Sequence, residues 1–204
     1  MLFWSAPAPL VLASKSFARR TMLSAAGIPV EIIPAQIDER AVERSLNGGN
    51  RDPDELALIL SWEKASAVSF KAPSRLVVGA DQTLAMGSKR FNKPADIEEA
   101  RAQLRLLRGQ THTLHSAVTL VQDGSVLFKV VDTARLRMRN FSDKFLEDYL
   151  EAAGPTVLES VGAYQLEKLG IHLFERVEGD YFTILGMPLL PLLDFFRGKT
   201  FLKD

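Results

Sequence analysis

Apolar and polar positions recur along the chain with two periods, one typical of strands and one typical of helices. The apolar run Leu10–Ala13 predicts a short buried strand, and a helix is predicted from about Phe17 to Ala26. Ser16 is a suitable N-cap for this helix, and Gly27 suits the position just after its end. Val30–Pro34 predicts a second strand.

The sequence Asp52-Pro53-Asp54-Glu55 combines a cap, a proline and early acidic residues, and it predicts the start of a second helix. The residues that this helix is expected to bury are Leu56, Ile59, Leu60, Ala67 and Phe70. The β-rich run Leu76–Ala80 predicts a strand buried on both faces and ending at Asp81. Gly79 within it would allow another backbone or a ligand to approach closely.

Two long β-type runs, Thr111–Val121 and Ser125–Arg139, flank Asp123-Gly124, which is a strong hairpin signal. The other helix starts are marked by Asp96, Ser142 and Pro188, and two helix ends by Gly109 and Gly154. Helices and strands alternate while one hairpin intrudes, so we expect an α/β protein with a mixed sheet. The length of 204 residues suggests one domain, 1–204, or two small lobes around a cleft.

Composition excludes several functions. The chain has no Cys, which excludes disulfides, thiolate catalysis and zinc sites with sulfur ligands. Its 25 basic residues balance 25 acidic ones without a basic stripe, so we expect no nucleic-acid partner. The apolar stretches Met1–Ser14 and Phe182–Phe196 are interrupted by prolines, and we expect neither to enter a membrane. The chain is therefore expected to be cytoplasmic.

Several residues are candidates for chemistry, although each also has a plain structural explanation. Ser14 and Arg19 lie around a strand–turn–helix junction, where backbone N–H groups attract phosphate, but the turn lacks P-loop glycines and a capped helix with a solvated arginine is the more common explanation. Asp81 and Glu39 could supply carboxylate oxygens to Mg²⁺, or simply cap a turn and begin a surface helix.

Two lysines could meet phosphate charge. Lys64 borders the apolar stripe of its helix, where a lysine with its stem along the apolar surface needs no function. Lys93 precedes Pro94 in a loop, where a solvated side chain is the common explanation. His112 and His115 face opposite sides of one strand, and we assign no role to any histidine.

Taken together, the motifs resemble the Maf family of nucleotide pyrophosphatases. The matching blocks are Leu12-Ala13-Ser14-Lys15-Ser16-Phe17-Ala18-Arg19-Arg20, Ile37-Asp38-Glu39, Glu63-Lys64-Ala65, Val78-Gly79-Ala80-Asp81, Lys93-Pro94, Leu107-Arg108-Gly109-Gln110-Thr111-His112, Gly162-Ala163-Tyr164, Leu173-Phe174-Glu175-Arg176-Val177-Glu178-Gly179 and Gly186-Met187-Pro188. The resemblance implies a central twisted mixed sheet with flanking helices, two lobes around a deep cleft, and a homodimer. It also implies hydrolysis of a nucleoside triphosphate to monophosphate and pyrophosphate, with a divalent cation, Mg²⁺ or Mn²⁺.

Residue roles follow from the same resemblance. Asp81 is expected to accept the proton of the attacking water, and Glu39 to hold the metal with Asp81 or assist it. The residues expected to contact the triphosphate are Ser14, Arg19, Lys64 and Lys93. Three positions that vary with substrate in the family are Ala18, Gln82 and Glu167 here. Gln82 and Glu167 resemble the subgroup that acts on 7-methyl-GTP, whereas Ala18 lacks the aromatic ring that this subgroup often carries.

Two rival functions stay open at this point. One is a nucleotide-binding regulator of septum formation that acts through protein partners, and the other is a sugar-nucleotide transferase. A pure binder releases no pyrophosphate, and a transferase requires an acceptor, whereas a pyrophosphatase turns over with water alone.

Overall fold

The computed structural model describes residues 3–45 and 52–203. Its strands are β1 Leu10–Leu12, β2 Val30–Ile32, β3 Val77–Met86, β4 Lys89–Phe91, β5 Thr111–Gln122, β6 Ser125–Met138 and β7 Phe174–Glu178. Its helices are α1 Phe17–Ala25, α2 Glu39–Ser45, α3 Pro53–Ser69, α4 Ile97–Leu107, α5 Asp143–Ala153, α6 Tyr181–Ile184 and α7 Leu189–Gly198. Three short 3-10 segments, Gly154–Glu159, Val161–Ala163 and Leu169–Leu173, precede β7.

The strands form one sheet in the order β2-β1-β3-β5-β6-β7, and β4 pairs with β3. β1 is parallel to both β2 and β3, whereas β3, β5, β6 and β7 pair antiparallel. The predicted α/β fold with a mixed sheet and flanking helices is therefore confirmed. The hairpin is also confirmed, since Asp123 and Gly124 between β5 and β6 both have positive φ, 48° and 78°.

The prediction that the central strand ends at Asp81 is wrong. β3 continues to Met86 because its second half pairs with β5, and Asp81 lies opposite Ala117 in that ladder. The parallel neighbour β1 does end here, since its last pair with β3 is Leu12 with Val78. Asp81 therefore lies just beyond the end of β1, although it is in the middle of its own strand.

α3 packs closely on β3 through small side chains. A Cβ atom at Gly79 would lie 2.6 Å from the backbone nitrogen of Ala65 and would also collide with the carbonyl oxygen of Ser61. Gly79 thus allows a second backbone to approach, as predicted. The expected burial of Phe70 is wrong, because its side chain is 80% exposed. α3 buries a face of mostly small residues, and Phe70 follows its end, beyond that face.

Apolar clusters cover both faces of the sheet. One joins β1, β3 and β5 to α1 and α7. A second joins the far halves of β3, β5 and β6 to α4 and α5. A third lies under α3. None of the helices in ranges 3–45 and 52–203 is long and apolar enough to cross a membrane.

Candidate active site

The first part of the site is the turn between β1 and α1. Ser16 caps α1, and its side chain accepts a hydrogen bond from the backbone N–H of Arg19. The Ser14 hydroxyl accepts a hydrogen bond from the Ser16 N–H at 3.2 Å. This turn places two serines and the N-terminus of a nine-residue helix at the end of β1, where a phosphate is attracted.

Arg19 joins this turn to two other segments. Its Nε donates to the carbonyl oxygen of Gly186 at 2.9 Å. Its Nη1 donates to the carbonyl oxygen of Ala80 at 2.8 Å and lies 3.3 Å from the Ser14 hydroxyl. Among the described residues, Nη2 has no hydrogen-bond partner. The guanidinium group is therefore held on two sides, while one amino group stays available to a ligand.

The second part of the site is a buried carboxylate–ammonium pair. Lys64 Nζ on α3 lies 2.5 Å from Asp81 Oδ1, and the two side chains are 10% and 9% exposed. The same nitrogen lies 2.8 Å from Glu39 Oε1 at the start of α2, and that side chain is 51% exposed. One lysine thus bridges the two carboxylates that were predicted to act together. The alternative explanation for Lys64, a side chain that only covers apolar surface, is wrong.

Burial dominates the electrostatics of Asp81. It raises the pKa of the carboxyl, while Lys64 and Arg19 lower it and Glu39 raises it again. Desolvation disfavours the charged form of an acid, and neighbouring cations favour it. The result is a carboxylate with a pKa above its usual range, which suits a group that must accept a proton.

Lys93 belongs to the same electrostatic cluster. Burial lowers its pKa, Arg19 and Lys64 lower it further, and Glu39 and Asp81 raise it. Its loop is fixed from α4, because Gln103 Nε2 donates to the carbonyl oxygen of Asn92 at 3.0 Å. The residue as a whole is exposed, while its ammonium group lies close enough to the cluster to lose part of its hydration. It can therefore reach an anion that enters next to the buried pair.

The three residues predicted to vary with substrate, Ala18, Gln82 and Glu167, take no part in the described hydrogen bonds of the Asp81 cluster. Ala18 is half-buried in the first turn of α1, and the ring of Phe17 beside it is 75% exposed. Glu167 is exposed, and within the described part of the chain it forms no hydrogen bond or ion pair. The structure therefore does not join Glu167 to the Asp81 cluster. The amide of Gln82 faces away from Asp81 and is engaged by the protein itself.

Three residues near Gln82 were missed by the sequence reasoning. Ser116 and Thr183 are both fully buried, and the half-buried Asp132 lies beside them on β6. In the sequence, Ser116 and Asp132 interrupt apolar β-type runs, which is a signal that they meet polar partners. A register counted from the turn would place Ser116 opposite Val131, and only the bulge between Leu120 and Val121 brings it opposite Asp132.

The carboxylate pair fits a divalent cation only in part. Both carboxylates already reach one cation, the Lys64 ammonium, and oxygen ligands suit Mg²⁺. Ranges 3–45 and 52–203 contain no group of three or more His, Cys, Asp or Glu that could hold a metal ion. Asp81 and Glu39 thus fit an ion that takes its remaining ligands from substrate phosphates and water.

A cavity in the described part of the chain lies elsewhere. It has a volume of about 180 Å³, and among its lining residues are Tyr149, Gln165 and Lys168. None of the predicted site residues lines it. We place the site at the Asp81 cluster because buried charge marks functional sites more directly than a small cavity of mixed lining.

The fold and the site together define the class of protein. It is an α/β protein in which three cations and a buried carboxylate lie around the end of one strand. Binding and cleavage of an anionic phosphate ester or anhydride require such a set of charges. The sequence matches the family described as "Maf-like protein" over residues 9–199. The chain belongs to this family. The predicted resemblance is therefore confirmed, and so is the prediction that the chain is a hydrolase.

Two relatives carry names that agree with this assignment. A protein of Rhodopseudomonas palustris strain HaA2 named "Nucleoside triphosphate pyrophosphatase" is 52% identical over 99% of each chain. A protein of Rhizobium etli named "7-methyl-GTP pyrophosphatase" is 50% identical over 92% of this chain and 94% of its own. Among solved structures, a HAM1 protein of Coxiella burnetii aligns with a TM-score of 0.41 at 15% identity, over 69% of this chain and 75% of its own.

Proposed function

We propose that this protein hydrolyses a nucleoside triphosphate to the monophosphate and pyrophosphate, with Asp81 as the base. The observation that carries the proposal is the contact of 2.5 Å between the buried Asp81 carboxylate and Lys64. Glu39, Arg19 and Lys93 surround this pair electrostatically. A buried acid with a raised pKa among cations suits attack by water on a charged phosphate.

The proposed reaction is one displacement at the α-phosphorus. The oxygen of a water molecule bonds to this phosphorus while Asp81 accepts a proton from the water. The bond between the α-phosphorus and the oxygen that bridges to the β-phosphorus breaks, and pyrophosphate leaves with that oxygen. Arg19, Lys64 and Lys93 offset the negative charge of the phosphates, and Ser14 binds a phosphate oxygen at the turn.

We also propose that Asp81 and Glu39 hold a divalent cation, Mg²⁺ or Mn²⁺, together with the substrate. Their carboxylates lie close together, since one oxygen of each contacts the Lys64 ammonium, at 2.5 and 2.8 Å. When bound, such an ion polarises phosphoryl oxygens and offsets their charge. The weak ligand set of the protein alone favours an ion that arrives with the nucleotide.

For the substrate we propose a modified guanine nucleotide, 7-methyl-GTP. The Rhizobium relative with this name supports the proposal. Glu167 carries a negative charge suited to a methylated guanine, which is positively charged. Ala18 leaves space beside the helix start, and the exposed ring of Phe17 is available to stack on the base.

The test is pyrophosphate release from 7-methyl-GTP, GTP, dTTP, UTP and 5-methyl-UTP with Mg²⁺, with Mn²⁺ and with EDTA. We expect release with either metal, none in EDTA, and the highest kcat/KM for 7-methyl-GTP. Full activity in EDTA would refute the metal proposal. A higher kcat/KM for dTTP or UTP than for 7-methyl-GTP would refute only the proposed substrate. A folded protein that releases no pyrophosphate would favour the nucleotide-binding regulator of septum formation.

Base recognition has its own test. Phe17→Ala and Glu167→Gln should each lower the ratio of kcat/KM for 7-methyl-GTP to that for dTTP, by about tenfold for one lost stacking or charge contact. Phe70→Ala is the matched control, because this ring is also exposed, at 80%, but follows the far end of α3. If Phe17→Ala and Phe70→Ala give the same ratio, stacking by Phe17 is excluded.

Two expectations from the sequence stay predictions, a homodimer and a location in the cytoplasm. Sedimentation of the purified protein tests the first, and fractionation of cells tests the second.

A further inference from the structure

A row of polar side chains crosses the sheet between two apolar clusters. Gln82 on β3 lies opposite Ser116 on β5, and Ser116 lies opposite Asp132 on β6. The preceding pair on this face, Ala80 and Val118, belongs to one apolar cluster, and the following pair, Leu84 and Leu114, belongs to another. Polar groups at such a place need partners.

The partners of this row come from α6. The Ser116 hydroxyl donates to the carbonyl oxygen of Thr183 at 2.6 Å. The Gln82 amide nitrogen lies 3.1 Å from the same oxygen, 3.0 Å from the carbonyl oxygen of Ile184 and 2.9 Å from the Ser116 hydroxyl. The Thr183 hydroxyl donates to Asp132 at 2.9 Å. The row therefore adds side-chain donors to the carbonyl groups at the end of α6, where the regular helical hydrogen bonds run out.

These contacts fix the turn that follows α6. The N–H of Gly186 donates to the same Thr183 carbonyl at 3.0 Å. Gly186 has a φ of 99°, which few other residues adopt, and its carbonyl oxygen accepts the hydrogen bond from Arg19 Nε. A Cβ atom at Gly186 would lie 3.3 Å from Arg19 Nη2. Hydrogen bonds thus connect Gln82 and Ser116, through α6 and the turn, to Arg19.

We propose that Gln82 and Ser116 are positioning residues that orient Arg19 toward the triphosphate, acting through the α6 carbonyl groups and the Gly186 turn. This inference rests on the proposed function, in which Arg19 binds phosphate. It replaces a direct contact of Gln82 with the base. Two amide hydrogens of Gln82 already face three acceptors, so the nitrogen has nothing left to donate to a nucleobase.

The test is a double-mutant cycle on kcat/KM. Gln82→Met and Ser116→Ala should each lower kcat/KM about tenfold, because a small displacement of a charge-bearing group is costly in a site of this kind. The reduction should be equal for 7-methyl-GTP and dTTP, since no base contact is lost. In an Arg19→Lys background, Gln82→Met should cost less than about twofold, because the group it positions is already changed.

The control is Gln122→Met, which also removes a bond from a glutamine to a backbone carbonyl, at 3.1 Å to Ser74. It should leave kcat/KM unchanged. Circular dichroism at the assay temperature ensures that folded proteins are compared, and Ser116→Ala, which removes one hydroxyl, serves if Gln82→Met does not fold.

Three outcomes would overturn the inference and are distinguishable. A changed ratio between the two nucleotides in Gln82→Met would assign Gln82 to base recognition and leave the proposed function intact. Multiplicative effects with Arg19→Lys would show that Gln82 acts independently of Arg19. If the wild-type protein hydrolyses no nucleotide, the proposed function fails and the inference fails with it.

Discussion

Removal of the Lys64 ammonium should destabilise the protein strongly, because it leaves Asp81 without its nearest partner. The Nζ–Oδ1 distance is 2.5 Å and both side chains are about nine-tenths buried. Removing one partner of a buried ion pair typically costs about 3–5 kcal/mol. Arg19 still faces Asp81 and the carboxyl can take a proton, so we expect Lys64→Met to lower the free energy of unfolding by about 3 kcal/mol, at the low end of that range.

In a chain of this size each kcal/mol corresponds to about 2–4 °C in Tm, so Lys64→Met should melt about 6–12 °C below the wild type. Lys144→Met is the matched control. Lys144 lies 2.7 Å from Asp148, but its side chain is 82% exposed. An exposed pair of this kind contributes about 0.3–0.5 kcal/mol, so the control should melt within about 2 °C of the wild type.

The stability deficit of Lys64→Met should depend on pH, and the pKa of Asp81 sets the direction of this dependence. The folded-state pKa of Asp81 lies above its unfolded value, and loss of Lys64 raises it further. A group with a raised pKa stabilises the folded state at low pH, and this stability is lost as the pH rises through the folded pKa. The deficit of Lys64→Met should therefore grow from acid to neutral pH. Asp81→Asn in the Lys64→Met background should recover most of the lost Tm, since it removes the buried charge.

The measurement is the Tm between pH 4 and 8 of the wild type, Lys64→Met, Lys144→Met and the double variant with Lys64→Met and Asp81→Asn. A Lys64→Met protein that melts with the Lys144→Met control would refute the reasoning, because the buried pair would then contribute no more than an exposed one. A double variant no more stable than Lys64→Met would show that its deficit comes from lost packing instead of from the charge on Asp81.

Three further predictions concern activity and stability. Asp81→Asn should lower kcat by about 10²–10⁴-fold with unchanged circular dichroism. In the wild type, the acid limb of the kcat/KM profile should lie above pH 3.8, the usual pKa of this carboxyl, because burial raises the pKa of Asp81. Burial lowers the pKa of His112 from 6.5 to about 4. The free energy of unfolding should therefore fall by about 3 kcal/mol as the pH drops from 6.5 to about 4. Urea melts should show this fall in the wild type and not in His112→Gln. Gly79→Ala should destabilise by about 3 kcal/mol or more in urea melts, since its Cβ would collide with α3, whereas Gly198→Ala, with open space around it, should not.

Local sequence signals predicted most of the elements. Caps such as Ser16 and Ser142 and the turn at Asp123-Gly124 act within a few residues, so their physics is visible in the sequence. The end of β3 was mispredicted because Asp81 interrupts an apolar run, and only the pairing with β5 shows that the strand continues. The same limit explains Phe70, whose exposure depends on where α3 ends against the sheet.

The charged residues of the site could be predicted from the sequence, but the hydrogen bonds that hold the site together could not. Asp81, Lys64 and Glu39 were candidates from their local pattern, their expected roles came from resemblance to a family, and the structure brings them together. The roles of Ser116 and Thr183 depend on contacts 67 residues apart in the chain. No pattern within one segment contains that information, because the partner of a buried hydroxyl is set by the tertiary fold.

The neighbouring residues Asp81 and Gln82 show how one strand supports both halves of the site. Successive side chains on a strand point to opposite faces, so Asp81 meets Lys64 on α3 while Gln82 meets the carbonyl groups of α6. Just before Asp81, the carbonyl oxygen of Ala80 accepts a hydrogen bond from Arg19 at the edge that β1 leaves open. A slip of one residue in the β3–β5 register would exchange the two faces, and both Asp81 and Arg19 would lose their partners. The long antiparallel pairing of β3 with β5 therefore fixes the register on which both contacts depend.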